Sequence, residues 1–156
     1  HTRYWRDWSS DVCSSDLALE ISSSLSAPSH PVSIGPTRHA WFNARVCASM
    51  SPLHGGVSRC SPATSGNTQP AWYACTGPVG GGHVATLAVA PRPGPHGHDW
   101  YVSPWGVMTA NPCLHTALSI EPGGAPLVLG AQFLVCDGKP QDDHIQQALS
   151  EWSPSH

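Results

Sequence analysis

The sequence predicts an α+β domain, in which a small antiparallel sheet of about four strands carries a C-terminal helix packed on it. Three stretches support this prediction. His83–Ala90 is an apolar run of alternating small and branched side chains, as in a largely buried strand. Pro126–Cys136 places apolar residues at every second position, and Asp142–Trp152 places them at helical spacing.

The middle of the chain is predicted to form a hairpin. His83–Ala90 is its first strand and Asp99–Ser103 its second. The segment between them is rich in proline and glycine, and proline has no backbone N–H to donate to a strand ladder. We therefore expect a loop between two paired strands.

A second hairpin is predicted from Leu114–Ile120 and Pro126–Cys136. Glu121–Gly124 joins them with the sequence Glu-Pro-Gly-Gly, which is strong turn chemistry because proline presets φ and glycine permits positive φ. On the final strand one face is expected to carry Leu127, Leu129, Ala131, Phe133 and Val135.

Two helices are predicted. Asp142–Trp152 begins with two aspartates that can cap free N–H groups, and Pro154 ends it. Its apolar stripe of Ile145, Ala148, Leu149 and Trp152 predicts docking on the sheet, against the Leu127–Val135 strand. Trp41–Met50 is predicted as a short helix that ends before Pro52.

The domain boundaries follow from composition. His1–Leu17, with the sequence HTRYWRDWSSDVCSSDL, resembles the in-frame translation of a sequencing adapter and is expected to be a non-native arm. Residues 18–36 are rich in Ser and Pro and predict a linker, with a few apolar side chains able to pack at an edge. Residues 37–156 are then a single domain that lacks its true N-terminus.

Charge and cysteine content indicate where such a domain works. The chain has 7 Lys and Arg against 10 Asp and Glu, which excludes the basic surface that nucleic acid requires. No apolar run reaches the roughly 18 residues of a membrane span. Low charge and scattered cysteines predict an exported protein with the disulfides Cys60–Cys75 and Cys113–Cys136, or alternatively buried reduced thiols.

A cysteine and a histidine suggest a catalytic pair. The stretch HVATLAVA…DWYVSPWG resembles the His strand and the Asp-Pro strand of protein-glutaminase and transglutaminase-like enzymes. That resemblance implies Cys47 as nucleophile, His83 as base and Asp99 as the orienting acid. Ser103 stands before Pro104, where those families carry the aspartate. The alternative is a structural Cys47 and an ordinary histidine at a strand end.

Two further groups indicate binding. His96 and His98 lie beside Asp99 and predict a zinc or copper site, with solvated loop histidines as the alternative. The aromatic residues Trp100, Tyr101 and Trp105 predict a platform for a glycan or a protein, with core packing as the alternative.

From these observations we expect an exported, disulfide-stabilised domain with a structural or binding role, no cofactor and no enzymatic activity. The alternatives are a cysteine amidase or acyltransferase and a His-rich metal-binding module.

Overall fold

The computed structural model describes residues 2–3, 16–62 and 69–150. Its one α-helix is α1, Asp142–Ser150, and two single 3-10 turns span Ala48–Met50 and Pro52–His54. The strands are β1 Thr2–Arg3, β2 Leu17–Leu25, β3 Val32–Ile34, β4 Asn43–Arg45, β5 Val57–Cys60, β6 Tyr73–Gly80, β7 His83–Pro91, β8 Asp99–Val102, β9 Val107–Asn111, β10 Leu118–Ile120 and β11 Leu127–Asp137.

The strands form three antiparallel sheets. The largest has the order β1-β2-β11-β7-β6-β5, the second has the order β4-β9-β8, and β3 pairs with β10. β7 and β11 lie in the middle of the large sheet and pair over seven residues, from Ala131 opposite Pro91 to Asp137 opposite Ala85. The centre of the molecule is therefore the β7–β11 pair.

Both faces of the large sheet are covered, because successive residues of a strand point to opposite sides. On one side Val89 and Phe133 pack with Met108 of the second sheet. On the other side Ala88 and Leu134 pack with Ile145 of α1. The order of layers is helix, large sheet, small sheet.

The predicted α+β class is wrong, since the protein is mostly β with a single C-terminal α-helix. Strands of only three residues, such as β3, β4 and β10, are too short to show the alternation that identifies a strand in a sequence. The predicted helix over Trp41–Met50 is also wrong, because this stretch contains β4 and a 3-10 turn. Strand pairing overrides its helical spacing.

Both predicted hairpins are wrong in their pairing, and only Leu118–Ile120 of the predicted strand Leu114–Ile120 is a strand. β7 pairs with β6 and β11, whereas β8 pairs with β9 in the second sheet. The Pro- and Gly-rich loop between β7 and β8 carries the chain from one sheet to the other. Likewise β10 pairs with β3, and β11 pairs with β2 and β7.

The predicted disulfides are also absent, since all five described cysteines have free thiols. The register of β5 and β6 places Cys60 opposite Tyr73 and Cys75 opposite Ser58, so Cys60 and Cys75 are not cross-strand neighbours. The predicted hairpin of Leu114–Ile120 and Pro126–Cys136, which would bring Cys113 near Cys136, does not form. Both cysteines are buried.

The C-terminal helix is confirmed over Asp142–Ser150, while Trp152 lies outside the described residues. Ile145 is fully buried in the cluster that contains Leu134 and Cys136. The helix therefore lies over the even-numbered face of β11. The opposite face, with Phe133 and Val135, points away from the helix, and Val135 is 38% exposed.

The segment 18–36 carries regular structure. β2 begins at Leu17 and pairs with β11 along nine residues, from Leu17 opposite Val135 to Leu25 opposite Leu127. β3 lies in the same segment and pairs with β10. Among the described residues no helix has the length and apolar character needed to cross a membrane, in agreement with the sequence.

Candidate functional site

Cys47 lies just after β4 and immediately before the 3-10 turn Ala48–Met50, and its side chain is exposed. Its Sγ lies 3.2 Å from Ser49 Oγ and 3.9 Å from the Pro78 carbonyl oxygen. The pKa of the Cys47 thiol is lowered, first by the Ser49 hydroxyl and then by the backbone of Met50. The Ser49 hydroxyl also donates to the Pro78 carbonyl oxygen at 2.6 Å. Because it has a single proton, it can donate to a Cys47 thiolate only when it gives up the bond to Pro78.

Cys47 opens into a cavity of about 350 Å³, here called the Cys47 cavity. The segment after β4 forms one wall, and the turn between β8 and β9 forms the other. Backbone bonds from Val46 N to Gly106 O and from Leu53 N to Pro104 O, both 3.0 Å, hold the walls together. Gly106 is required there, because its φ is +87° and a Cβ would lie 2.5 Å from Val46 Cγ2.

His54 is oriented in this cavity by Ser51. The buried Ser51 hydroxyl donates to the Ala48 carbonyl at 2.8 Å, which uses its single proton. Ser51 Oγ also lies 3.0 Å from His54 Nδ1, so Nδ1 carries a proton and donates it. The neutral imidazole then has an unprotonated Nε2, which is able to accept a hydrogen bond or a proton.

Arg45 and Trp105 complete the lining of the Cys47 cavity. Arg45 ends β4 and is exposed, and it forms no ion pair with any other residue that the structure describes. Trp105 is 45% exposed. A guanidinium, an imidazole, a thiol and an indole thus converge on one small concave surface.

The three residues predicted as catalytic do not line a common cavity. His83 lines a second cavity, beside β11 and α1, and the lining of the Cys47 cavity does not include it. Asp99 lines neither cavity, and its Oδ1 accepts a hydrogen bond from Gln69 Nε2 at 2.9 Å. The histidine that shares a cavity with Cys47 is His54, which the sequence analysis did not single out.

The two histidines predicted as metal ligands lie in and at the end of the loop before β8. His96 is exposed, whereas His98 is half-buried and sits edge-on to Trp100, with ring centroids 5.6 Å apart. Burial lowers the pKa of His98, and its Nε2 is buried without a hydrogen-bond partner in the described part of the chain. Among the described residues neither histidine belongs to a group with metal-ligand geometry.

The predicted aromatic platform is divided. Trp100 is partly buried, donates its indole N–H to the Pro70 carbonyl at 2.8 Å and packs on Tyr73. Tyr101 is partly buried against the ring of His39. Of the three predicted aromatic residues, Trp105 alone is exposed.

The second cavity, of about 700 Å³, holds a group that the sequence analysis missed. Asp16, Cys136 and His144 bring one ligand atom each within 4.8 Å of the others, and we call them the Asp16 cluster. His144 Nε2 lies 2.6 Å from Asp16 Oδ2. Burial, followed by the Asp16 charge, raises the pKa of Cys136 to about 12. Asp16 lies in the predicted N-terminal arm, and 128 positions separate it from His144.

Comparison with known proteins identifies a family for the chain and attaches no activity to it. Neither the curated proteins nor the solved structures include a match. The model of DUF6807, a family of unknown function, matches residues 2–150, and the chain belongs to that family.

Proposed function

We propose that this domain binds a small ligand that carries a carboxylate, and that the ligand occupies the Cys47 cavity. The observation that supports this most directly is the position of Arg45, exposed at the cavity without an ion-pair partner among the described residues. A planar guanidinium matches a carboxylate with two parallel hydrogen bonds, which gives both affinity and orientation.

Trp105 and His54 supply the remaining contacts. The indole of Trp105 is 45% exposed and offers an apolar face on which a sugar or aromatic ring can lie. His54 Nε2 accepts a hydrogen bond when the imidazole is neutral, because Ser51 holds the proton on Nδ1. The cavity therefore fits a ring that bears a carboxylate and a hydroxyl group.

The test uses two matched pairs of probes. Glucuronate and glucose differ in a carboxylate on the same sugar ring, and benzoate and benzyl alcohol differ likewise on an aromatic ring. Titrations followed by amide and indole N–H resonances should show that one anionic probe shifts the Trp105 indole signal and that its uncharged partner does not. Arg45→Gln should weaken that binding about tenfold or more, because a charge-assisted hydrogen bond contributes about 1.5–3 kcal/mol.

Arg38→Gln is the matched control, since Arg38 is also exposed but does not line the cavity. Equal losses for the two arginine variants would mean that the probe follows general surface charge. No shift with either anionic probe would refute carboxylate binding for these ring classes.

Thiol chemistry at Cys47 is the second candidate, because the lowered pKa of an exposed thiol favours the nucleophilic thiolate. In this second candidate function the base is His54, in place of the predicted His83. Mass spectrometry after treatment with a substoichiometric chloroacetamide probe should find the label on Cys47, at a rate that falls several-fold in His54→Gln. An unchanged rate in His54→Gln would remove His54 from this chemistry.

A location outside the cytoplasm remains a proposal. Its support is the low content of charged residues, 11% of the chain. The disulfides that were expected to add to it do not form.

A further inference from the structure

We propose that the Asp16 cluster is a zinc site in which Asp16, Cys136 and His144 are the three protein ligands and a fourth position opens into the second cavity. A carboxylate, a thiolate and an imidazole are each established zinc ligands. Their ligand atoms already lie within 4.8 Å of one another.

The cluster is a built site because three different elements converge on it. Cys136 is fixed near the end of β11, His144 lies in the first half of α1, and Asp16 directly precedes β2. β2 and α1 are both anchored on β11, so the backbone positions of all three ligands are held by the core. Such anchoring reduces the ordering cost of metal binding.

One buried oxygen of the Asp16 carboxylate is unpaired in the described part of the chain. Asp16 Oδ1 is buried and has no hydrogen-bond partner among the described residues, while Oδ2 faces His144. An unpaired buried carboxylate oxygen costs free energy, and a bound cation would compensate it. The thiolate and the carboxylate together would neutralise the two positive charges of Zn²⁺.

The required rearrangement is small. Tetrahedral bonds of about 2.0–2.3 Å place ligand atoms roughly 3.3–3.8 Å apart. Asp16 Oδ2 and His144 Nε2, now 2.6 Å apart, must separate by less than about 1 Å, and Cys136 Sγ already lies within 4.8 Å of both. On binding, the Cys136 S–H bond breaks and its proton passes to solvent, and His144 binds through an unprotonated Nε2.

The chemical types of the three ligands favour particular metal ions. Thiolate and imidazole ligands favour zinc and its spectroscopic substitute cobalt over calcium and magnesium, which prefer oxygen ligands. Three protein ligands with an open fourth position are the arrangement of zinc sites that bind an exchangeable water. His83 and Lys139 line the same cavity as the three ligands.

The experiment is a titration of the reduced, metal-free full chain with Co²⁺. We expect one equivalent to produce the near-ultraviolet thiolate-to-cobalt charge-transfer band and the visible bands of tetrahedral cobalt, and Zn²⁺ to displace it. Cys136→Ser should abolish the charge-transfer band. Asp16→Asn and His144→Gln should each weaken Zn²⁺ binding at least tenfold by competition with a chelating dye.

Cys47→Ser and His30→Gln are the matched controls, because both residues are exposed and lie outside the cluster. Circular dichroism establishes that each variant is folded, and the Asp16 and His144 variants test the site even if Cys136→Ser is unstable. Asp16 lies in the segment that resembles an adapter, so Asp16→Asn also measures what that segment contributes. A charge-transfer band that persists in Cys136→Ser, or no saturable binding of either metal, would overturn the proposal.

Discussion

The docking of α1 on the large sheet makes Ile145 the side chain whose truncation we expect to destabilise the protein most clearly. Ile145 is fully buried among Trp72, Ala88 and Leu134. Ile145→Ala removes three carbons, which is about 2.4 kcal/mol at roughly 0.8 kcal/mol for each buried methylene. The cavity left between helix and sheet adds to this, and the better helix propensity of alanine returns about half a kcal/mol. We therefore expect a loss of about 2–4 kcal/mol.

Urea denaturation followed by far-ultraviolet circular dichroism measures this loss. Ser150→Ala is the control on the same helix, because Ser150 is exposed and its hydroxyl bonds only to the Gln147 carbonyl in the structure. Its effect should stay within about 0.5 kcal/mol. A loss below about 1 kcal/mol for Ile145→Ala, similar to that of Ser150→Ala, would refute docking and leave α1 undocked from the sheet. A helix of nine residues is only marginally stable in isolation. Docking on the sheet must therefore stabilise α1.

Three other predictions follow from individual contacts. Trp72 is buried and donates its indole N–H to Gln146 Oε1 at 3.0 Å. Gln146→Ala should therefore lower the free energy of unfolding, measured in urea, by about 1–3 kcal/mol, and Gln146→Glu, which keeps an acceptor, should lower it less. Equal losses for the two variants would show that this hydrogen bond does not contribute to stability. Burial lowers the pKa of His98, so its neutral form contributes stability that is present above pH 6.5, the pKa of an unperturbed histidine, and is lost as pH falls below it. The melting temperature should therefore drop less between pH 7.5 and 5.5 in His98→Gln than in the parent, and an identical drop would contradict this. Cys47 should react with iodoacetamide at pH 7.5 faster than the buried Cys75 and Cys113, because burial raises the pKa of those two thiols. Ser49→Ala should slow the reaction of Cys47. Equal labelling of the three cysteines in peptide mapping would contradict the lowered pKa of Cys47.

Local pattern was sufficient for several elements. The predicted strand His83–Ala90 is β7 within one residue, and Pro126–Cys136 is β11 within one residue at each end. The aspartates that begin α1 and its buried Ile145 and Leu149 lie where the helical spacing predicted them. These features depend on side-chain period and on the preference for acidic residues in the first turn of a helix, which are properties of short stretches of chain.

The same local patterns do not predict which strands lie next to each other in a sheet. Alternation along β7 shows that the strand is buried, but it does not show that its neighbours are β6 and β11 and not β8. The loop after β7 is compatible with a hairpin or with a crossing between sheets, and only the packing of whole sheets distinguishes them. With the pairing wrong, the disulfide prediction failed too, because cysteine proximity depends on register.

The sequence by itself determined the two central strands and the C-terminal helix, because these depend on side-chain period within short stretches of chain. The tertiary structure decided which residues meet. Cys47 shares its cavity with His54 and Arg45, while His83 lies in the cavity that holds Asp16, Cys136 and His144. Contacts between residues far apart in sequence form only where the closing of sheets against a common core stabilises them, and no local pattern records that free energy.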